Sequence, residues 1–173
     1  MLDQTRSILP FLVVLFLSIL FLTGMNFWSN PAIEETQQQR HLEMLREYFP
    51  EATEYEFEET AAKSYDLVYN ADGDFIGILV TTKHEGYSDY ITYRFAVDAE
   101  GVIKGINILD HRETEDIGGV IEEPEFQDQF IGISHQDPIQ EELDTISGAT
   151  ESTEAIIVSV DQVMEVLSAE YLD

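Results

Sequence analysis

"YITYRFAVDAEGVIKGINIL", Tyr90 to Leu109, sets two strand-like runs on either side of a "DAEG" turn. Aromatic and β-branched residues recur in both runs at a period near two, which suits a pleated surface with one buried face. Upstream the same pattern repeats: "YEFEE" alternates, "YDLVY" is strand-like, and "NADGD" separates it from "FIGILVTT". "NADGD" has the acidic look of a calcium loop but lacks the twelve-residue ligand pattern with its closing Glu, so it reads as a hairpin turn. The stretch from Tyr55 to Leu109 is expected to be a meander of four or five antiparallel strands.

Helical periods flank the meander. "HLEMLREYF" places Leu42, Leu45 and Phe49 at three- and four-residue spacing ahead of Pro50, a short amphipathic helix. After Leu109 the chain turns irregular and charged through "DHRETEDIGGVIEEPEF", and "PEFQDQFIG" suggests one short helix with Phe126 and Phe130 on a face. The last segment carries Ile156, Val160, Val163 and Leu167 on one stripe with Ile157 and Met164 beside it, a well-formed amphipathic helix.

At the other end, Ile8 to Phe27 reads "ILPFLVVLFLSILFLTGMNF", without a charge. A bilayer core requires roughly 20 apolar residues in a helix. Pro10 falls in the first turn, where a missing N–H is tolerated, and Trp28 stands at the far end, where an interfacial aromatic belongs. A cleaved signal peptide is the rival, but no small-x-small cleavage site follows. Arg6 precedes the span and the next base is Arg40, so the positive-inside rule puts the N-terminus in the cytoplasm and the rest outside. The expected class is α+β: an N-terminal transmembrane helix followed by an antiparallel β-meander domain flanked by helices. The expected divisions are a cytoplasmic stub and anchor over residues 1–29, a connector and short helix over 30–52, and an extracytoplasmic domain over 53–173.

Charge and cysteine content exclude several functions. Beyond residue 30 the chain carries 34 acidic and seven basic residues, the whole of the formal −27. Such a surface repels nucleic acid and anionic lipid; solubility, a saline habitat or docking to a basic partner each account for it. With no cysteine, disulfides, thiolate-held iron–sulfur clusters, c-type haem and lipobox anchoring are ruled out.

"DTISGATESTEAIIVSV", Asp144 to Val160, runs small and hydroxylated residues straight into the final helix. Ser and Thr at such a place satisfy orphan helix N–H groups, and Glu151 and Glu154 suit the positive end of the dipole. A helix N-terminus with little bulk around it equally admits a phosphate. On spacing alone, cap and phosphate site stand level.

"DTISGAT" followed by "EST" resembles the flavinylation motif of the FMN-binding domain family. That family includes the FMN-carrying G subunit of the Rnf ion-translocating electron-transport complex and the C subunit of the sodium-translocating NADH:quinone reductase. "HRETEDIG", His111 to Gly118, resembles the family's His-x-Glu-Thr-Pro-Gly-Leu-Gly stretch at His111, Glu113, Thr114 and Gly118; Ile117 stands for Leu, and Glu115 and Asp116 replace Pro-Gly. "FQDQFIG" and "HEGYSDYI" resemble neighbouring family segments, so the likeness runs from about Lys83 to Leu167.

The resemblance implies covalent FMN on Thr150 through a phosphoester, installed from FAD by a flavin transferase that recognises the motif, Asp144 included. It makes Ser147, Gly148, Ala149 and Thr153 phosphate neighbours. Glu113 and Thr114 are then candidates to bond ring or ribityl atoms, or to cap a turn; Tyr87 and Ile117 to wall the ring, or to pack in the core; and His111 to relay protons. Gly118 completes the matched loop. The implied function is an electron carrier rather than a complete enzyme, in a multi-subunit membrane complex of Rnf type. A free-standing anchored FMN shuttle, and a cofactor-free acidic sensor or adhesion module, are the alternatives. The span itself offers no ion path, having no ionisable residue.

Overall fold

The computed structural model describes residues 15, 16, 18, 37–60, 62–113 and 119–172. The chain divides into two compact units, Met1–Glu43 and Met44–Asp173. The expected membrane span lies outside the described residues except for Leu15, Phe16 and Ser18, which are helical. Among the described residues no helix is long and apolar enough to cross a membrane.

Residues 37–45 are helical (α1). The expected helix through Phe49 stops at Leu45, whose carbonyl accepts the N–H groups of both Tyr48 (3.1 Å) and Phe49 (2.9 Å). Pro50 disfavours helical dihedrals in the residue before it, so the chain tightens into turns. Leu45 and Phe49 are nonetheless buried, as their spacing required.

The meander has five strands: β1 (Glu54–Glu59), β2 (Lys63–Tyr69), β3 (Phe75–Glu85), β4 (Tyr90–Asp98) and β5 (Ile103–Asp110). They form one antiparallel sheet in sequence order. Two hairpins turn by the same device. Asn70 Oδ1 accepts the N–H groups of Asp72 (3.0 Å) and Asp74 (2.9 Å). Asp98 Oδ1 accepts those of Glu100 (3.2 Å) and Val102 (2.8 Å). A short side chain thus stands in for the missing ladder bond. In "NADGD" the side chain that builds the turn is that of Asn70, and among the described residues no His, Asp and Glu cluster suits a metal ion.

One face of the sheet carries the main core. Tyr65, Leu67, Ile78, Val80, Ile91, Tyr93, Phe95 and Val97 alternate into it. Helix α4 (Thr150–Glu170) packs there, with its whole predicted stripe buried. Between β5 and α4 lie a 3₁₀ turn (Gly119–Glu122), α2 (Pro124–Gln127), a second 3₁₀ turn (Asp128–Phe130) and α3 (Ile139–Glu142). The single helix expected over "PEFQDQFIG" is therefore two short pieces. Phe126 and Phe130 still share the core, edge to face with ring centroids 5.3 Å apart.

Val68, Leu79 and Ala96 on the other face are buried as well. There the Phe49 ring presses on Gly77, where an added Cβ would collide with the ring and with the Val97 carbonyl. Gly77→Ala should cost about 1–3 kcal/mol. Gly73→Ala, left-handed at φ +82 but with open space around it, should cost only about 1 kcal/mol. Denaturant midpoints of the two variants check the difference.

Candidate functional site

Helix α4 begins without a side-chain cap. Its N-cap residue is Ala149, and the chain enters through Gly148, left-handed at φ +93. Among the described residues, the N–H groups of Thr150, Glu151 and Ser152 meet no acceptor, and the first bond of the ladder runs from Thr153 N–H to Ala149 O at 3.0 Å. Two of the hydroxyls that could have capped it, on Ser152 and Thr153, are occupied elsewhere. Buried Thr153 Oγ1 donates to Ala149 O (3.0 Å) and Thr150 O (3.2 Å), and accepts Ile146 N–H (3.3 Å). Thr153 latches the loop to the helix from inside.

Thr150, Ser147 and Gly148 are exposed, whereas Ala149 is buried. The Thr150 hydroxyl has only a long 3.5 Å bond to Ile146 O, at the edge of what counts as a hydrogen bond. It opens on a cleft of about 260 Å³ whose walls are Gly148–Ser152 and Tyr87. Tyr87 is 62% exposed, so it is not a core residue and its ring is available to a ligand. Asp144 and Ser147 line a separate concavity of about 720 Å³ with Glu123 and Glu125. The motif thus faces two ways: Thr150 toward Tyr87, Asp144 and Ser147 elsewhere.

Glu113 ties the site together. It is 7% exposed. One carboxylate oxygen accepts the N–H groups of Ser88 (3.0 Å) and Asp89 (3.4 Å), and the other accepts the Ser152 hydroxyl at 2.6 Å. Burial pushes its pKa up. The bond from Ser152 and those from the backbone of Ser88, Asp89 and Tyr87 together outweigh this and hold it below the ordinary carboxylate range. Both oxygens are therefore engaged within the chain. They form a strap between the β3–β4 turn, which carries Tyr87, and the first turn of α4, which carries Thr150.

His111 supports the strap. Its Nδ1 accepts Glu113 N–H (3.2 Å), so Nε2 carries the proton and donates to Glu122 Oε1 (3.1 Å). Thr114, Ile117 and Gly118 lie outside the described residues. Ser152, 1% exposed, was not among the expected site residues. It stands four positions before Ile156, so extending the apolar stripe back one turn identifies it as inward-facing.

Residues 86–165 match the family model for the FMN-binding domain. The match starts in the β3–β4 turn and ends inside α4, close to the limits that the motifs suggested. The chain is 26% identical over 149 residues to the G subunit of the ion-translocating oxidoreductase complex of Methanosarcina acetivorans, an alignment covering 78% of each chain. Its fold is similar to the crystal structure of Shewanella oneidensis NqrC, with a TM-score of 0.50 at 17% identity, over 68% of this chain and 67% of that one. The strap, the cleft and the start of α4 all fall inside the matched segment, and residues 86–165 belong to the FMN-binding domain family.

Proposed function

We propose that this chain is an electron-transfer subunit of a membrane redox complex of Rnf type, carrying FMN as a phosphoester on Thr150. One observation carries the proposal: an exposed hydroxyl at the first position of α4, beside three N–H groups without an acceptor among the described residues, at a cleft faced by an exposed tyrosine. Those N–H groups and the positive end of the α4 dipole suit a phosphate. The residues fit the group.

FMN, when bound, supplies reversible electron exchange. Thr150 holds its phosphate, the amides of Thr150 to Ser152 neutralise part of the charge, and Tyr87 offers a face to the ring. Ser147, Thr114, Ile117 and Gly118 are assigned to the surrounding contacts. Thr153 and Glu113 act one step removed by fixing the loop and the helix start. The proposal also takes residues 1–29 as cytoplasmic stub and anchor, 30–52 as connector and 53–173 as the extracytoplasmic domain, maturing through a flavin transferase that reads Asp144. The name of the Methanosarcina relative, which is part of a complex, supports the assignment to a complex.

Attachment from FAD joins the Thr150 oxygen to the FMN phosphorus and releases AMP. Intact-mass spectrometry of denatured, matured protein should therefore find the chain heavier by one FMN less one water. An unshifted mass, from a host whose transferase modifies a control protein, overturns the proposal. Glu151 lines the same cleft, and its carboxylate opposes further negative charge on a bound flavin. Glu151→Gln should raise the flavin midpoint potential in a spectroelectrochemical titration.

A further inference from the structure

The sheet has two edges, and the chain covers one of them. Beside the start of β5, Ile103 N–H bonds to Ile133 O and Gly132 N–H to Ile103 O, both at 2.8 Å, and Val102 bridges Ser134. The other edge is β1, which pairs with β2 alone. That pairing runs without a bulge from Glu54↔Tyr69 to Glu59↔Ser64, and none of the six residues is buried.

The ladder decides which groups face out. Thr60 N–H bonds inward to Lys63 O at 2.8 Å. In an antiparallel pair every second residue makes the inward bonds, so Glu58, Glu56 and Glu54 bond to β2 and the N–H and C=O groups of Phe57 and Glu59 turn outward. Among the described residues, nothing beyond the sheet bonds to either. The Phe57 side chain is 55% exposed, on the face away from α4. Glu56 and Glu58 stand on the α4 face, opposite Leu67 and Tyr65. There the hydroxyls of Tyr69 and Tyr171 donate to them at 3.4 and 2.8 Å and hold them beside the edge.

An open edge is a template for another strand. Proline and bulges turn any strand away, and β1 has neither; its one guard is charge, with four Glu and no base. Charge turns away only its like. A second copy of β1 would set Glu against Glu, whereas a basic strand gains cross-strand pairs. Outside the described residues the only base in the sequence is Arg6, so those segments offer no basic strand. We infer that β1 is a docking edge for an extended basic segment of another protein chain. That segment adds a sixth strand, with Lys or Arg beside Glu54, Glu56 and Glu58 and an apolar residue beside Phe57. Docking there needs no flavin on Thr150.

Fluorescence anisotropy with the full-length chain in neutral detergent tests the edge. The probe is a labelled peptide that alternates Lys with Val and is long enough to span β1. The same peptide N-methylated at alternate positions keeps its charge and loses the N–H groups of one edge. The plain peptide should bind saturably, and the methylated one about tenfold or more weakly, as expected for two lost backbone bonds. E54Q/E56Q/E58Q should also bind the plain peptide more weakly, and residue-resolved amide exchange should slow at Phe57 and Glu59 when it is bound. Absence of binding, equal binding of the two peptides, or unchanged exchange at those two amides overturns the edge. An alternating Glu–Val peptide bound as tightly, or wild-type affinity in E54Q/E56Q/E58Q, overturns the basic occupant.

Discussion

Thr150→Ala, produced with a working flavin transferase, yields a dark band on a denaturing gel where the wild-type band fluoresces. The expected effect is complete, because alanine removes the oxygen proposed to carry the phosphoester. The fold should barely respond. Thr150 is exposed, its internal hydrogen bond is 3.5 Å long, and alanine is the better helix former by a few tenths of a kcal/mol. Thr153→Ala separates attachment from architecture. That variant loses the buried latch to Ala149 and Ile146 and should be destabilised by about 1–3 kcal/mol, yet it keeps the acceptor hydroxyl and should fluoresce in its folded fraction. Fluorescence surviving in Thr150→Ala would put the cofactor elsewhere. A dark wild type beside a labelled control protein would return the hydroxyl-rich stretch to a plain helix start.

Glu113→Ala should be among the most destabilising single changes in the domain, by about 3 kcal/mol at neutral pH. It strands the amides of Ser88 and Asp89 and the hydroxyl of buried Ser152. Glu113→Gln keeps the shape and loses the charge, and should cost about 2 kcal/mol. The two states differ in pH response. The folded-state pKa of Glu113 is held below its unfolded value, so its contribution is fully present above the ordinary carboxylate pKa of about 4.3 and is lost as pH falls through the folded value. The gap in denaturant midpoint between wild type and Glu113→Gln should therefore be full at pH 6–7 and shrink on acidification below about pH 4. A gap independent of pH would show that Glu113 titrates alike in the folded and unfolded chains. If Glu113 instead bonded only the cofactor, the substitution would leave the flavin-free protein as stable as wild type.

The parts of this fold that repeat were legible in the sequence. Strand-like runs between Tyr55 and Leu109 pointed to four or five strands where there are five, and the 3.6-residue stripe from Ile156 to Leu167 yielded α4; β1 alternates although none of its residues is buried. Short elements resisted. "PEFQDQFIG" is too brief for its period to tell one helix from an α turn followed by a 3₁₀ turn, and Pro50 governed the end of α1 more than the apolar spacing did. In the site, the motif located the right loop, and the directions of its side chains were the unreadable part. Thr153 and Thr150 are both hydroxylated and three residues apart, yet one is sealed and the other open. The Glu113–Ser152 bond spans 39 positions, and only the packed structure brings its ends together.

Tyr93 donates to Ser159 across the main core at 2.7 Å, and both side chains are buried. Apart from buried Thr82, paired across from Tyr93, the core around that bond is largely hydrocarbon, which tolerates a slipped helix better than a hydroxyl pair does. A slip leaves two buried polar groups without partners. Ser159 therefore works as a detent that indexes the helix against the sheet. Thr150 is nine residues upstream, about 13 Å along a rigid rod at 1.5 Å per residue. The position of the proposed attachment point relative to the sheet is thus held from two places, the middle of the core and the Glu113–Ser152 strap, and Ser159→Ala removes the first of them.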